Sequence, residues 1–361
     1  MANEGITDPS RFDDNQAGSG FNDLFLKQFT GEILTTFDEK NVFRELHTTR
    51  TINSGRSATF PVTGIASATY HTPGQNIIQE GGASSTYLSD IAKTEKIITI
   101  DDLLISSTML YNLDDMKNHY DIRSIYAREL AKALAVRYDT AVCKVMIAAA
   151  RASANLTQTN KTGGQVDIPN GDISAPDTPG TKDTSYDAQD LINAFFVAAE
   201  QLDNNDVDED GRFAVLAPTD YYTLITGANT DSSINLLSAV NSDIGGSGSI
   251  STGKVMQIAG INIFKSTHIP TTNMDSGASG TATDDSNSNN DVFGAGGNGY
   301  DGDFRNTVGL IGHTSAVGTV QLMDLATESE YKPEYQGTLF LAKYALGHGI
   351  LRPEAMLELV A

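Results

Sequence analysis

Apolar residues recur at steps of three and four in two long stretches of this chain. The first stretch holds Phe21, Leu24, Phe25, Phe29, Ile33, Leu34 and Phe37, which predicts an amphipathic helix despite Gly31. Such a helix packs either on its own domain or on a neighbouring copy, and the pattern leaves both open. The second stretch runs Ile122, Tyr126, Leu130, Leu134, Tyr138, Ala141, Val145 and Ala149, with no Gly or Pro from Tyr120 to Arg151. At 1.5 Å per residue this is roughly 48 Å of continuous helix, far beyond the ~11–12 residues of an average one. Between the two, the period changes to two. Ala58, Phe60 and Val62 alternate with polar positions, and Thr94–Ile105 (TEKIITIDDLLI) reads as a single returning strand. Pro73-Gly74, Gly81-Gly82 and Ser84-Ser85 supply turn chemistry between them. The sum is a long β-hairpin with too few strands to stand alone. It needs its own domain or another copy to lie on.

Beyond the long helix the periodicity lapses. Residues 152–185 read as loops with short hairpins. Asp190–Leu202 predicts a second helix, and Arg212–Ala217 a short buried strand. A helix is expected over Thr219–Thr226, capped by Thr219 or Asp220. Lys254–Lys265 reads as paired strands, and residues 271–303 as an exposed polar loop. Strands return at Val308–Ile311, at Val317–Leu322 and at Leu339–Leu351. His348, between Gly347 and Gly349, reads as a turn. Helices, a loop-rich middle and returning strands describe an α+β chain with an inserted domain. A long helix beside a long hairpin suggests a plate.

Charge alters this picture more than bulk composition does. The 361 residues carry a net charge of -22, which argues against gripping nucleic acid or an anionic membrane. Residues 152–304 hold 21 Asp and Glu against 5 Lys and Arg, while Lys117–Arg151 holds 7 basic residues against 3 acidic. That reads either as an acidic loop region beside an ordinary helix or as complementary faces on neighbouring copies. The single cysteine, Cys143, lies in the apolar helix and reads as a buried thiol. The polar N-terminus shows no secretory signal, and no run of about 18 apolar residues suggests a membrane span.

Several stretches imitate chemical motifs. Gly248 to Lys254 has P-loop spacing, but Val255 stands where a magnesium-binding Ser or Thr is required. Gly294, Gly296 and Gly299 fit G-x-G-x-x-G without a preceding strand or a following helix. Asp206, Asp208, Asp210 and Gly211 match the first half of a calcium loop, yet position 12 is Ala217. His47, His71, His119, His268, His313 and His348 show no metal-ligand spacing. No catalytic constellation, cofactor site or metal site is expected.

Four groups of residues carry a family resemblance. Phe25 to Leu34 (FLKQFTGEIL) forms the first. Ser54 to Val62 (SGRSATFPV) with Thr94 to Asp101 (TEKIITID) forms the second. Met116 to Arg123 (MKNHYDIR) is the third. Ser315 to Val320 (SAVGTV) with Lys343 to Ala355 (KYALGHGILRPEA) is the fourth. The chain resembles the major capsid proteins of short-tailed podoviruses of the autographivirus type. The matches span about 21–155 and 305–356, and the middle departs in length and sequence.

The resemblance implies the tailed-phage and herpesvirus capsid (Johnson) fold. Its parts would be an N-terminal arm at 1–50, an extended loop at 51–107 and a peripheral domain with its spine helix at 108–155. An axial domain would occupy 156–306, with return strands at 307–361. It implies a subunit assembling as pentamers and hexamers into an icosahedral shell around double-stranded DNA. A scaffolding protein would be a partner during assembly, and a portal would occupy one vertex. The arm and extended loop would overlap the adjacent subunit, with Phe25, Phe29, Arg56, Phe60, Tyr70, Tyr87 and Lys93 as contact residues. The location would be the virion, with assembly in the host cytoplasm. Some relatives of the fold crosslink Lys to Asn, but this branch generally does not, so none is expected at Lys93 or Lys96. Two other readings stand beside it: a tail or decoration subunit, and a hydrolase using Asp206–Asp210 with a divalent ion.

Overall fold

A computed structural model describes Ile33 and residues 41–71, 73–74, 77, 91–113, 122–156, 161–168, 173–174, 186–226, 257–274 and 300–361. The predicted helix at 21–37 lies outside these apart from Ile33, which is helical and buried. The glycine motifs at 248–254 and 294–299, His119 and most of the 271–303 loop also lie outside them.

The chain folds into two units. One comprises residues 1–41, 103–138 and 323–345, the other 42–102, 139–322 and 346–361. The predicted spine helix is α1, Ile122–Arg151. Its first half is amphipathic, burying Ala127, Leu130, Ala131, Leu134, Ala135 and Tyr138, with Arg128 and Lys132 exposed. From Ala141 to Ala150 every residue is buried, the signature of a helix enclosed on all sides.

In the first unit β4 (Leu104–Tyr111) pairs antiparallel with the Gly337–Tyr344 stretch of β12 (Gly337–Ile350). Phe340, Ala342 and Tyr344 point to the buried face. Tyr344 meets Tyr138 of α1 edge to face, with ring centres 6.4 Å apart. The returning strand expected at Thr94–Ile105 is two strands: β3 ends at Thr99 and β4 starts at Leu104. The break follows Asp101, whose N–H bonds to the Leu346 carbonyl while its carboxylate accepts from Tyr300 Oη.

The second unit is built on a seven-stranded sheet. In spatial order its strands are β6 (Ile173–Ser174), β5 (Gly164–Asp167), β13 (Met356–Val360), β10 (Thr307–His313), β7 (Arg212–Leu216), β9 (Ile261–Lys265) and β8 (Gln257–Ile258). The buried strand expected at Arg212–Ala217 is β7, and the paired strands expected to Lys265 are β8 and β9. A two-residue turn at Ala259-Gly260, both with positive φ, joins the last two.

The second predicted helix is α2 (Ala188–Asn204). Asp187 Oδ1 accepts the N–H groups of Gln189 and Asp190, and the Asp190 carboxylate accepts the Asp187 N–H. This capping box starts the helix, and Leu191, Ala194, Phe195, Ala198 and Leu202 form its buried stripe. α3 (Pro218–Thr226) opens on a proline, one residue before the expected start. The carboxylate of Asp220, in its first turn, accepts from Tyr186 Oη at 2.6 Å.

Buried charges tie this unit's part of α1 to segments far away in sequence. Lys144 Nζ lies 3.1 Å from Asp301 Oδ1. Arg151 donates twice to Glu358, at 2.7 Å each, and once to the Asp303 carbonyl. Gln165 and Thr307 also donate to Glu358, so this fully buried carboxylate is saturated with donors.

Candidate functional site

The hairpin is the feature most in need of support. Among the described residues β2 (Ser57–Thr63) and β3 (Lys93–Thr99) form a two-stranded sheet, from Ser57↔Thr99 to Thr63↔Lys93. Its inner face carries Ala58, Phe60 and Val62 opposite Ile98, Lys96 and Thr94. Only the base of that face is fully buried, at Ala58 and Ile98. The outer face, with Thr59, Pro61, Lys93, Glu95 and Ile97, is exposed.

Glycines make the seat of the hairpin. A Cβ on Gly347 would overlap the Thr99 carbonyl oxygen, and one on Gly349 would lie 2.7 Å from Ile98 Cγ1. A Cβ on Gly318 would come within 3.4 Å of Ile98 Cδ1. Gly347 and Gly349 are two apart on a strand and so share a face. The turn expected at Gly347-His348-Gly349 is therefore corrected: all three lie inside β12, and the glycines let another backbone approach.

A polar cluster backs this seat. Tyr300 Oη donates to Asp101 Oδ2 at 2.6 Å and accepts the His348 N–H at 2.9 Å. His348 Nδ1 lies 2.8 Å from Thr319 Oγ1. Burial pushes the His348 imidazole down to about 3, helped by the nearby His47. Burial likewise pushes His47 down to about 4, against the Phe43 carbonyl and Asp139, which favour its charged form. Asp139 of α1 accepts the Val42 and Phe43 N–H groups and lies 2.8 Å from His268 Nδ1. His313 lies within hydrogen-bonding distance of Ser315 and the Asp210 carbonyl, and His71 is exposed.

The Asp206–Asp210 stretch joins α2 to β7. Asp206 pairs with Lys161, and the Asp208 and Asp210 carbonyls face Arg212 and His313. Among the described residues no group of three His, Cys, Asp or Glu gathers to hold a metal ion. Among them, too, no helix is long and apolar enough to cross a membrane.

Of the seven expected contact residues, Tyr70 is fully exposed, and Arg56 and Lys93 are exposed on the hairpin. Phe60 is half-buried and faces inward, under the guanidinium of Arg50 at 5.4 Å. Phe25, Phe29 and Tyr87 lie outside the described residues. Arg50, Ile98 and the seat glycines were not anticipated. The alternate glycines in a run of strand-forming residues were the one legible signal for the seat.

The model for Gp10A-like major capsid proteins matches residues 59–360. The chain belongs to this family. It is 32% identical over 336 residues to the major capsid protein of Escherichia phage T7, covering 92% of this chain and 90% of that one. It is 32% identical over 333 residues to the major capsid protein of Enterobacteria phage T3, with the same coverage of 92% and 90%. The capsid structure of cyanophage P-SCSP1u matches with a TM-score of 0.69 and 35% identity over 96% of each chain. The mature capsid of bacteriophage PhiM1, at 17% identity and a TM-score of 0.60, shares the fold over 89% of this chain and 86% of that one. The expected capsid fold is thus the observed one, and this capsid subunit is a structural protein of the phage shell. The hairpin and its seat belong to that subunit.

Proposed function

We propose that copies of this subunit assemble as pentamers and hexamers into an icosahedral shell around packaged double-stranded DNA, each hairpin overlapping an adjacent copy. The observation that carries this reading is the hairpin itself. It is a two-stranded sheet, buried only at Ala58 and Ile98, with Ile65, Tyr70 and Ile97 exposed. Two strands do not hold that geometry alone; the subunit's own seat covers the base at Ala58 and Ile98, and a neighbouring subunit covers the exposed Ile65, Tyr70 and Ile97. Arg56, Phe60, Tyr70, Tyr87 and Lys93, with Phe25 and Phe29 of the arm, are the contact residues, Phe60 from the hairpin's inner face.

The parts of the subunit are an arm at 1–50, an extended loop at 51–107, a peripheral domain at 108–155, an axial domain at 156–306 and return strands at 307–361. The subunit carries out no reaction. It is made in the host cytoplasm, meets a scaffolding protein and a portal during assembly, and ends in the virion. The net charge of -22 suits a shell that encloses DNA without gripping it.

Deletion of residues 60–92 tests the central claim. The expected product is a folded subunit, judged by circular dichroism, that forms no closed shells under the electron microscope. Normal shells from the deleted chain would refute the role given to the hairpin.

A further inference from the structure

The hairpin is attached to its own unit at two levels. At the base, Ile98 fills the space over Gly318 and Gly349. Further out, Arg50 reaches it from the side. Arg50 Nη1 donates to the Thr59 carbonyl at 3.1 Å, and its guanidinium carbon sits 5.4 Å from the centre of the Phe60 ring. The backbone at Arg50 is fixed, because β1 (Thr48–Thr51) pairs in parallel with Gly318–Gln321 of β11 (Val317–Lys332), while the Arg50 side chain is exposed. The Ile52 N–H extends that pairing to the Gln321 carbonyl.

Just past this point the hairpin overhangs an open groove of about 520 Å³. Phe60, Val62 and Ile65 of the hairpin line it together with Asn205, Leu351 and Arg352. A two-stranded ribbon anchored at one end has little stiffness of its own. Its height above such a groove is set by whatever props it. A guanidinium suits the task because its planar fork donates to a carbonyl while its face lies on an aromatic ring.

We propose that Arg50 is the strut that fixes the angle of the hairpin over this groove, and through it the angle at which one subunit meets the next. The proposal rests on the reading of the hairpin as an intersubunit element. It makes Arg50 a positioning residue, acting through Thr59 and Phe60. With the strut removed, the hairpin drops toward Leu351, where its inner apolar residues find cover. The subunit stays folded, since the base at Ile98 is untouched. What it loses is a single angle, so shells built from it vary in curvature or fail to close.

The sequence permits a clean optical test. The chain has no Trp, and its single Cys143 is fully buried, so one engineered thiol takes one label. Ile65→Cys carries a bimane fluorophore on the hairpin, and Arg352→Trp places a quencher among the other residues that line the groove. In the unassembled full-length subunit, Arg50→Ala should raise the quenched population by about tenfold, the combined effect of one hydrogen bond and one cation–π contact. The melting temperature should stay unchanged. In assembly, Arg50→Ala should give shells of mixed diameter, with Arg50→Lys restoring part of the uniformity. Phe60→Leu should shift quenching in the same direction, which keeps the test decisive if Arg50→Ala proves unstable.

Unchanged quenching in both variants overturns the strut. Changed quenching with uniform shells overturns its link to assembly. Normal shells from the chain lacking residues 60–92 would instead remove the underlying reading, and the two failures are told apart by that control.

Discussion

Acid should weaken this subunit as pH falls below 6.5, and two buried histidines set the size of the effect. Burial holds His348 down to about 3 and His47 down to about 4, against 6.5 in the unfolded chain. Below pH 6.5 the unfolded chain therefore binds more protons than the folded one. The stability contributed by the neutral imidazoles is fully present above pH 6.5. It drains away as pH falls toward the two folded values. At pH 5 each histidine costs about 2 kcal/mol, from 1.5 units at about 1.36 kcal/mol per unit, so the pair costs about 4 kcal/mol. Both folded values lie a unit or more below pH 5, so this figure depends mainly on the unfolded pKa. It is a large share of the ~5–15 kcal/mol typical of a folded domain. The assay is urea unfolding of the unassembled subunit at pH 7 and pH 5, followed by circular dichroism. The double variant His47→Gln/His348→Gln should lose little stability between those two pH values, whatever its stability at pH 7. An equal loss in the variant and the parent chain would place the acid sensitivity in groups other than these two histidines.

Two further outcomes follow from the same geometry. Gly349→Ala should destabilise by about 1–3 kcal/mol, since its Cβ would lie 2.7 Å from Ile98 Cγ1; thermal melts should show the loss, and Ile98→Ala in the same chain should recover part of it. Glu358→Gln should cost about 3–5 kcal/mol by leaving Arg151 without its carboxylate; urea midpoints should fall accordingly, and Arg151→Met/Glu358→Met should be more stable than the single variant.

The elements that sequence periodicity reached are those with a strong local repeat. α1 was legible because Ile122 to Ala149 keeps its apolar spacing without a breaker. α2 was legible from its apolar run, though its start at Ala188 depended on the Asp187 and Asp190 cap. β7 was legible as a short apolar run. The break between β3 and β4 was not, because Ile100 and Leu103 carry the apolar signal across it. What divides the strands is the capture of Asp101 by Tyr300 and of its N–H by Leu346, both about two hundred residues or more away. His348 was misplaced for a similar reason. Glycines on both sides imitate a turn unless one knows that Ile98 and Thr99 need their missing side chains.

The long helix and the two sides of the hairpin could be read along the chain, because periodicity and turn chemistry are local properties. A two-stranded hairpin also needs a surface to lie on, its own domain or another copy, and the pattern along the chain left both open. The seat of that hairpin, and the contact of Arg50 with Thr59 and Phe60, came from neighbours in space. The tertiary structure alone turned His47 and His348 into buried neutral groups and gave Glu358 its full set of donors. Each of these depends on residues brought together across long stretches of chain. Burial, close approach and pKa are set by neighbours in space, which a one-dimensional pattern does not record.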